Sequence, residues 1–475
     1  MEPLANVPRL STARAREFFG KLQPHAVFLA LTLTFGVAVM LLNPPFQAPD
    51  EGDHFYRAFQ ISEGGFVGQK GFGNAGGPLP VIAFRVADPE GISFHPDVKM
   101  TPAIWRKKLT PAFVDWDKTE RTFCGFPHTV VYPPVNYLPQ ALAIFLGRHA
   151  HIGPLGLMFL ARLAGFAVSI WLGYAALRWL PIYRWSALLL LLCPMSLYLF
   201  GSVAPDGVLI AGAFLLVALI VRLATDAAKR FTGREQVAVL ALAGVIAVSK
   251  VVYWPLAAVA LLLGWPRLRA RREKIIFGFA WLGCCVLPLW LWSRIIASLL
   301  IPGRTDIPID PTAQWHAVLA DPLAFVALVV KSIWFEAGGV YQWFVGVLGW
   351  GDTPMPNWFY YVFSGGLLAC LVAESSGAGS MRWRSRLTLV AAAVTSTVLI
   401  FGAQYVTWNS PGSREPIEGI EGRYFLLLAP LIALSFPRLG NFRVPDFWAA
   451  IIGSTLAAVG AVVCLVAVVM RYYLP

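Results

Sequence analysis

Two adjacent carboxylates, Asp50 and Glu51, stand in "NPPFQAPDEGDHFYRAFQISEGG", Asn43–Gly65, directly after an apolar run. With Asp53, His54 and Arg57 they crowd five ionisable side chains into eight positions. A carboxylate in such a place can take the proton from an attacking hydroxyl, and a neighbouring carboxylate can raise its pKa. Pro44, Pro45 and Pro49 stop the apolar run from continuing as regular helix, so Asp50 falls at the N-cap of a new one. On that helix Asp50, His54 and Arg57 follow i, i+4, i+7 spacing and share a face, while Asp53 can pair with Arg57 on the flank. A cap and an ion pair on a solvated helix would explain the same residues without function. Charge beside a membrane is costly, however, and that favours use.

The elements that must position these groups are membrane helices. The chain is 57% hydrophobic and 13% charged, with a mean hydropathy of +0.63, a composition whose main solvent is lipid. About eleven stretches approach the roughly 17–25 apolar residues needed to cross a bilayer core. The net charge of +12 comes mainly from short loops between apolar runs, which reads as orientation by positive charge and excludes nucleic acid as a partner. Five of the six cysteines lie in apolar runs, and only Cys124 is in a polar region, so no disulfide framework or zinc spacing emerges.

The basic loops set the expected topology. The segment before Ala26, with Arg9, Arg14, Arg16 and Lys21, is placed inside, and Ala26–Leu42 is read as a retained first span. Spans follow at Leu155–Leu177, Trp185–Ser202, Val208–Val221, Val237–Ser249, Val252–Trp265 and Ile275–Ala297. Four more follow at Phe359–Val372, Leu387–Val406, Tyr424–Phe436 and Trp448–Val469. This puts "RLRARREK" and "RWRSR" inside and the C-terminus outside. Asn136–His149 is expected as an interfacial helix and Leu323–Trp350 as a re-entrant or interfacial segment. Two large outer loops result, Asn43–Pro154 and Leu299–Trp358, and function is sought there.

Four motifs, "APDEGDHFYRA", "YPPVNYLP", "SVAPDG" and "EGRYFLLLAP", resemble an uncharacterised family of predicted bacterial membrane proteins. More widely, a span, a proline-rich break and "DE" opening an outer helix resemble the first loop of GT-C membrane glycosyltransferases. That resemblance implies an all-α integral membrane bundle and sugar transfer from a polyprenyl phosphate or pyrophosphate to a glycan, lipid or protein acceptor. It implies Asp50 as the catalytic base, by its match to the first acid, with Glu51 orienting the acceptor or tuning Asp50.

The same resemblance asks for cations at the outer ends of spans to hold the leaving phosphate. Arg423, Lys250, Arg162 and Arg294 are the candidates. Arg423 is foremost, since its guanidinium fork can take two phosphate oxygens. Lys250 reads equally as a snorkelling loop lysine, and Arg162 and Arg294 as partners in an intramembrane ion pair with Asp206. Asp206 is alternatively a second acid lining the site. His54, Arg57, Tyr132 and Tyr137 complete the expected substrate contacts, the tyrosines by stacking on sugar or, equally, as interface anchors.

Asp115 and Asp117 have DxD spacing, which alone is a weak metal signal, and no cofactor is expected. No phosphate-binding glycine loop, HExxH or nucleophile elbow is present, which argues against ATP-driven pumping and hydrolase chemistry. The rival readings are a transporter or flippase for a lipid-linked saccharide and a non-catalytic subunit of a polysaccharide assembly system. The expected location is a bacterial inner membrane, with the acidic loop on the periplasmic side.

Overall fold

The computed structural model describes residues 19–86, 91–108, 111–226, 230–302, 304, 306–375, 381–439 and 445–474. Arg9, Arg14 and Arg16 lie outside the described residues. Fifteen helices carry the architecture: α1 Pro24–Leu42, α2 Glu51–Ser62, α3 Leu138–His149, α4 Pro154–Trp179, α5 Arg184–Leu191, α6 Pro194–Phe200, α7 Asp206–Thr225 and α8 Gly233–Ser249. The rest are α9 Trp254–Gly264, α10 Arg271–Leu299, α11 Pro322–Gly346, α12 Asn357–Glu374, α13 Trp383–Trp408, α14 Ala429–Ser435 and α15 Asp446–Tyr472. Among the described residues, seven helices are long and apolar enough to cross a membrane: α1, α4, α7, α10, α11, α13 and α15.

The expected spans that fall short of this are instructive. Trp185–Ser202 is two helices, α5 and α6, broken before Pro194, whose nitrogen cannot donate to the preceding turn. Tyr424–Phe436 is a 3-10 turn, Gly422–Phe425, followed by the seven-residue α14. Nearly every residue of α5 and α6 is buried. Broken helix is tolerated at membrane depth only where other protein, rather than lipid, surrounds it. Beside them α7 is the central post, with 89% of its apolar window buried, and it packs most extensively on α4.

The two ends of the bundle differ in charge. At one end Arg184 reaches Gln23 at 3.2 Å, Arg267 donates to the carbonyl of Ala224 at 3.1 Å, and Arg386 meets the Ser435 carbonyl at 3.4 Å. At the other end lie the N-terminus of α2, the N-terminus of α7 and the C-terminus of α13, which share one cleft. Helix α11, expected as a re-entrant or interfacial segment, is one continuous 25-residue helix. Its start, at Phe325, packs on Tyr405 of α13 with 5.7 Å between rings. Just past its end, Trp350 donates to the Phe46 carbonyl at 3.2 Å. The start of α11 and the segment just past its end therefore both meet the cleft-bearing end of the bundle.

The first large loop is a small domain with its own core. Strands β1 Gln69–Gly71, β2 Asn74–Pro80 and β3 Arg121–Gly125 form an antiparallel sheet with β2 in the middle. Phe55, Phe59, Trp116, Phe126 and Tyr137 fill a cluster separate from the main bundle core and continuous with Leu157 and Met158 of α4. Amphipathic α3 buries Gln140, Ala141 and Ile144 and leaves Leu138, Leu142 and Leu146 exposed. The sheet was not anticipated: "NAGGPLP" has neither alternation nor β-branched residues. All six cysteines are free.

Candidate functional site

Asp50 does occupy the N-cap of α2, but not as a side-chain cap. Its backbone is left-handed, with φ 59°, and its carboxylate makes no capping bond. A non-glycine residue held in this region is strained, and such residues gather where a side chain must be aimed. The carboxylate turns instead to Arg423, whose Nη2 donates to it at 2.8 Å. Burial pushes the Asp50 carboxyl up, but Arg423 beside it, with help from His54 and His128, more than offsets this and holds it below the usual range.

Glu51, one residue on, points the other way. It is wholly buried and forms a bidentate pair with Arg162, Nε to Oε1 at 2.8 Å and Nη2 to Oε2 at 2.6 Å. Oε1 also accepts the backbone N–H of Val203 at 2.9 Å. Arg162 spends its remaining donors on the carbonyls of Met40, Asn43 and Pro44. The pair thus ties the end of α1, the start of α2, α4 and the link before α7 into one knot. Arg162 pairs with Glu51 rather than Asp206, and neither member lines the cleft.

The cleft has a volume of about 320 Å³. Asp50, His54, Tyr132, Asp206, Glu421 and Arg423 are among its walls, with Lys250, His128 and Tyr424. All four motifs therefore contribute to it, over more than 370 residues of chain, as the Asp50–Arg423 separation of 373 illustrates. Arg423 is 5% exposed, and the Glu421 carboxylate lies against its Nε. The 3-10 turn carrying it can pack tightly because Gly422 has no side chain: a Cβ there would sit 2.1 Å from the Val340 carbonyl of α11. The Lys250 ammonium stands over two aromatic faces, 5.0 Å from the centre of Tyr132 and 5.1 Å from that of Tyr424.

His54 lies in the cleft wall, its Nδ1 2.7 Å from the Tyr137 hydroxyl and its ring stacked on Tyr132 at 14°. Burial pushes its pKa down to about 4, so it is neutral at pH 7. Tyr137 is fully buried behind it and does not reach the cleft. Arg57 is a correction to the sequence reading in two respects. It does not pair with Asp53 but donates to Gln60 and to the carbonyls of Gly65, Phe66 and Tyr132, so it fixes Tyr132 and is not among the cleft walls. Asp53, left without that partner, is pushed up to about 7 by burial and by nearby Asp50.

Arg294 is exposed on α10 and does not line the cleft. Asp115 is paired with surface Lys118 at 2.7 Å, and no group of three metal-ligating side chains occurs among the described residues. His128, Gln404, Thr407, Trp408, Glu421 and Tyr424 are among the wall residues that sequence reasoning did not single out. Glu421 and Tyr424 flank Arg423 in its own motif and were legible there.

The cleft opens into an apolar groove of about 430 Å³. Tyr132, Lys250, Gln404, Thr407 and Tyr424 belong to both. A polar, charged chamber joined to an apolar groove is the shape of a site for an amphiphile with an anionic or sugar head. No curated protein and no solved structure matches the chain. A family model described as "Predicted membrane protein (DUF2142)" matches residues 33–432. The match spans most of the helices and all four motifs of the cleft, and the chain belongs to this family of predicted membrane proteins.

Proposed function

We propose that this protein is a GT-C-like membrane glycosyltransferase, moving a sugar from a polyprenyl phosphate or pyrophosphate to an envelope glycan, lipid or protein acceptor. The observation that carries the reading is the convergence of four distant motifs on one cleft, where an ionised carboxylate and two cations meet the mouth of an apolar groove. Asp50 is the base. It takes the proton of the acceptor hydroxyl as that oxygen bonds to the sugar's reacting carbon. The bond from that carbon to the carrier's phosphate oxygen breaks, and the phosphate leaves with the electron pair.

The departing charge needs fixed cations: Lys250 faces it with free donors, and Arg423, held by Asp50 and Glu421, adds its positive field at no cost of reorganisation. Neutral His54 can accept or donate one hydrogen bond to a sugar hydroxyl without adding charge. Short basic loops gather at the end of the bundle opposite the cleft, which favours the periplasmic face of a bacterial inner membrane for the chemistry. The experiment is mass spectrometry of lipid-linked sugars and envelope glycans from cells with and without the protein. Loss should leave a lipid-linked sugar accumulated and one glycan substituent missing. Unchanged profiles of both would contradict the transferase reading.

A further inference from the structure

We infer that Lys250 is the seat of the carrier's phosphate, and that the apolar trough leading away from it holds a polyisoprenyl chain. The inference deepens the transferase reading and takes the chemical class of its ligand from it, while the place of the site rests on geometry alone.

The two cations of the cleft are not equivalent. Arg423 is already engaged by two carboxylates, Asp50 at 2.8 Å and Glu421. An anion arriving there must displace one of them. Among the described residues Lys250 has no hydrogen bond or close ion pair; the faces of Tyr132 and Tyr424 hold it, and the Asp206 carboxylate across the cleft attracts it from beyond ion-pair distance. Rings on two sides fix the ammonium without consuming its N–H donors, which remain available to phosphate oxygens.

Lys250 also stands at the right place. It links α8 to the turn before α9 and belongs to both the charged cleft and the apolar groove. The groove continues into a second apolar space of about 490 Å³, with which it shares Val248 and Trp292. This second space runs between α8, at Leu240, Ala241 and Gly244, and α10, at Pro288, Leu291 and Ile295. Polar side chains are absent from that stretch of lining among the described residues. A single apolar chain can therefore enter between α8 and α10 and end with its phosphate at Lys250, its sugar facing Asp50. Arg423 is left to hold the Asp50 carboxylate ionised and aimed.

The test is equilibrium binding of three probes to the full-length protein in nanodiscs: a polyisoprenyl monophosphate, the corresponding polyisoprenol, and a phosphatidic acid. Without a sugar no transfer occurs, so the result stands whether or not the protein is a transferase. Lys250→Gln should weaken the polyisoprenyl phosphate about tenfold or more and leave the polyisoprenol unchanged. Lys250→Arg should retain most of the affinity, and Arg423→Gln should lose less than Lys250→Gln. Ala241→Trp, on an exposed wall of the trough, should weaken both isoprenoids and guards against misfolding of the lysine variants.

Equal binding by wild type and Lys250→Gln would overturn the inference. So would a greater loss in Arg423→Gln, which would move the phosphate to Arg423. Phosphatidic acid binding as tightly as the isoprenyl phosphate would make the trough a bilayer-lipid site.

Discussion

Replacing Glu51 with Gln tests the division of labour between the two adjacent acids. The substitution keeps the side chain's size but leaves the Arg162 guanidinium, with no exposed surface, lacking its counter-charge. Two bonds between opposite charges, at 2.8 and 2.6 Å, become at best one bond from the guanidinium to a neutral amide oxygen. The three carbonyls that accept from Arg162 remain in place to hold the cation there, while the Val203 N–H loses an ionised acceptor. Breaking one side of a buried pair typically costs about 3–5 kcal/mol, a large fraction of the ~5–15 kcal/mol that stabilises a folded protein. Glu51→Gln and Arg162→Gln should therefore each give a poorly folded or strongly destabilised protein. The double variant should be less damaged than the sum of the two, because neither charge is then stranded. Thermal unfolding in nanodiscs and size-exclusion profiles would measure this. A Glu51→Gln protein as stable as wild type but inactive would refute the reasoning and return Glu51 to the chemistry.

Two groups of α2, half-buried Asp53 and buried His54, give opposing pH effects. Asp53, pushed up to about 7 by burial and Asp50, binds a proton in the folded state that the unfolded chain has released, so its contribution falls as pH rises from about 4 to about 7. His54, pushed down to about 4 by burial, is protonated first in the unfolded chain, so its contribution falls as pH drops from about 6.5 to about 4. Asp53→Asn should gain stability relative to wild type as pH is raised from about 5 to about 8, and His54→Gln as it is lowered from about 7 to about 5; parallel melting curves at all pH values would contradict both. Single cysteines at Lys70 and Lys107 should react with an impermeant reagent added outside, whereas those at Arg269 and Arg384 should be protected. Protection at 107 together with labelling at 269 would invert the topology. A matching probe at Gly303 lies outside the described residues.

Much of the site was legible because its residues lie in compact motifs beside spans. The prolines after α1 mark the break, and Asp50, Asp206 and Arg423 each sit where a membrane segment starts or ends. What the sequence did not show were relations between distant segments. Glu51 and Arg162 are 111 residues apart, and nothing local distinguishes a carboxylate that binds a buried arginine from one that faces a cleft. The left-handed backbone at Asp50, which sends the neighbours in opposite directions, has no signature in "PDEG". The i, i+4 spacing of Asp53 and Arg57 suggested a pair that the fold does not make, since Arg57 finds the carbonyls of Gly65 and Phe66, in the loop before the sheet, and of Tyr132 first. The expected spans at α5, α6 and α14 are interrupted where the helices are enclosed by protein, which supplies the partners that broken backbone needs.

The most direct measurement is single-turnover sugar transfer by purified Asp50→Asn protein, beside donor binding by the same preparation. Asn accepts the left-handed backbone at this position and can still accept a hydrogen bond from Arg423, so fold and donor affinity should be retained. It cannot remove the acceptor's proton, and loss of a general base slows chemistry ~10²–10⁴-fold. The account predicts that slowing with binding intact. An Asp50→Asn protein that transfers sugar at the wild-type rate would contradict it.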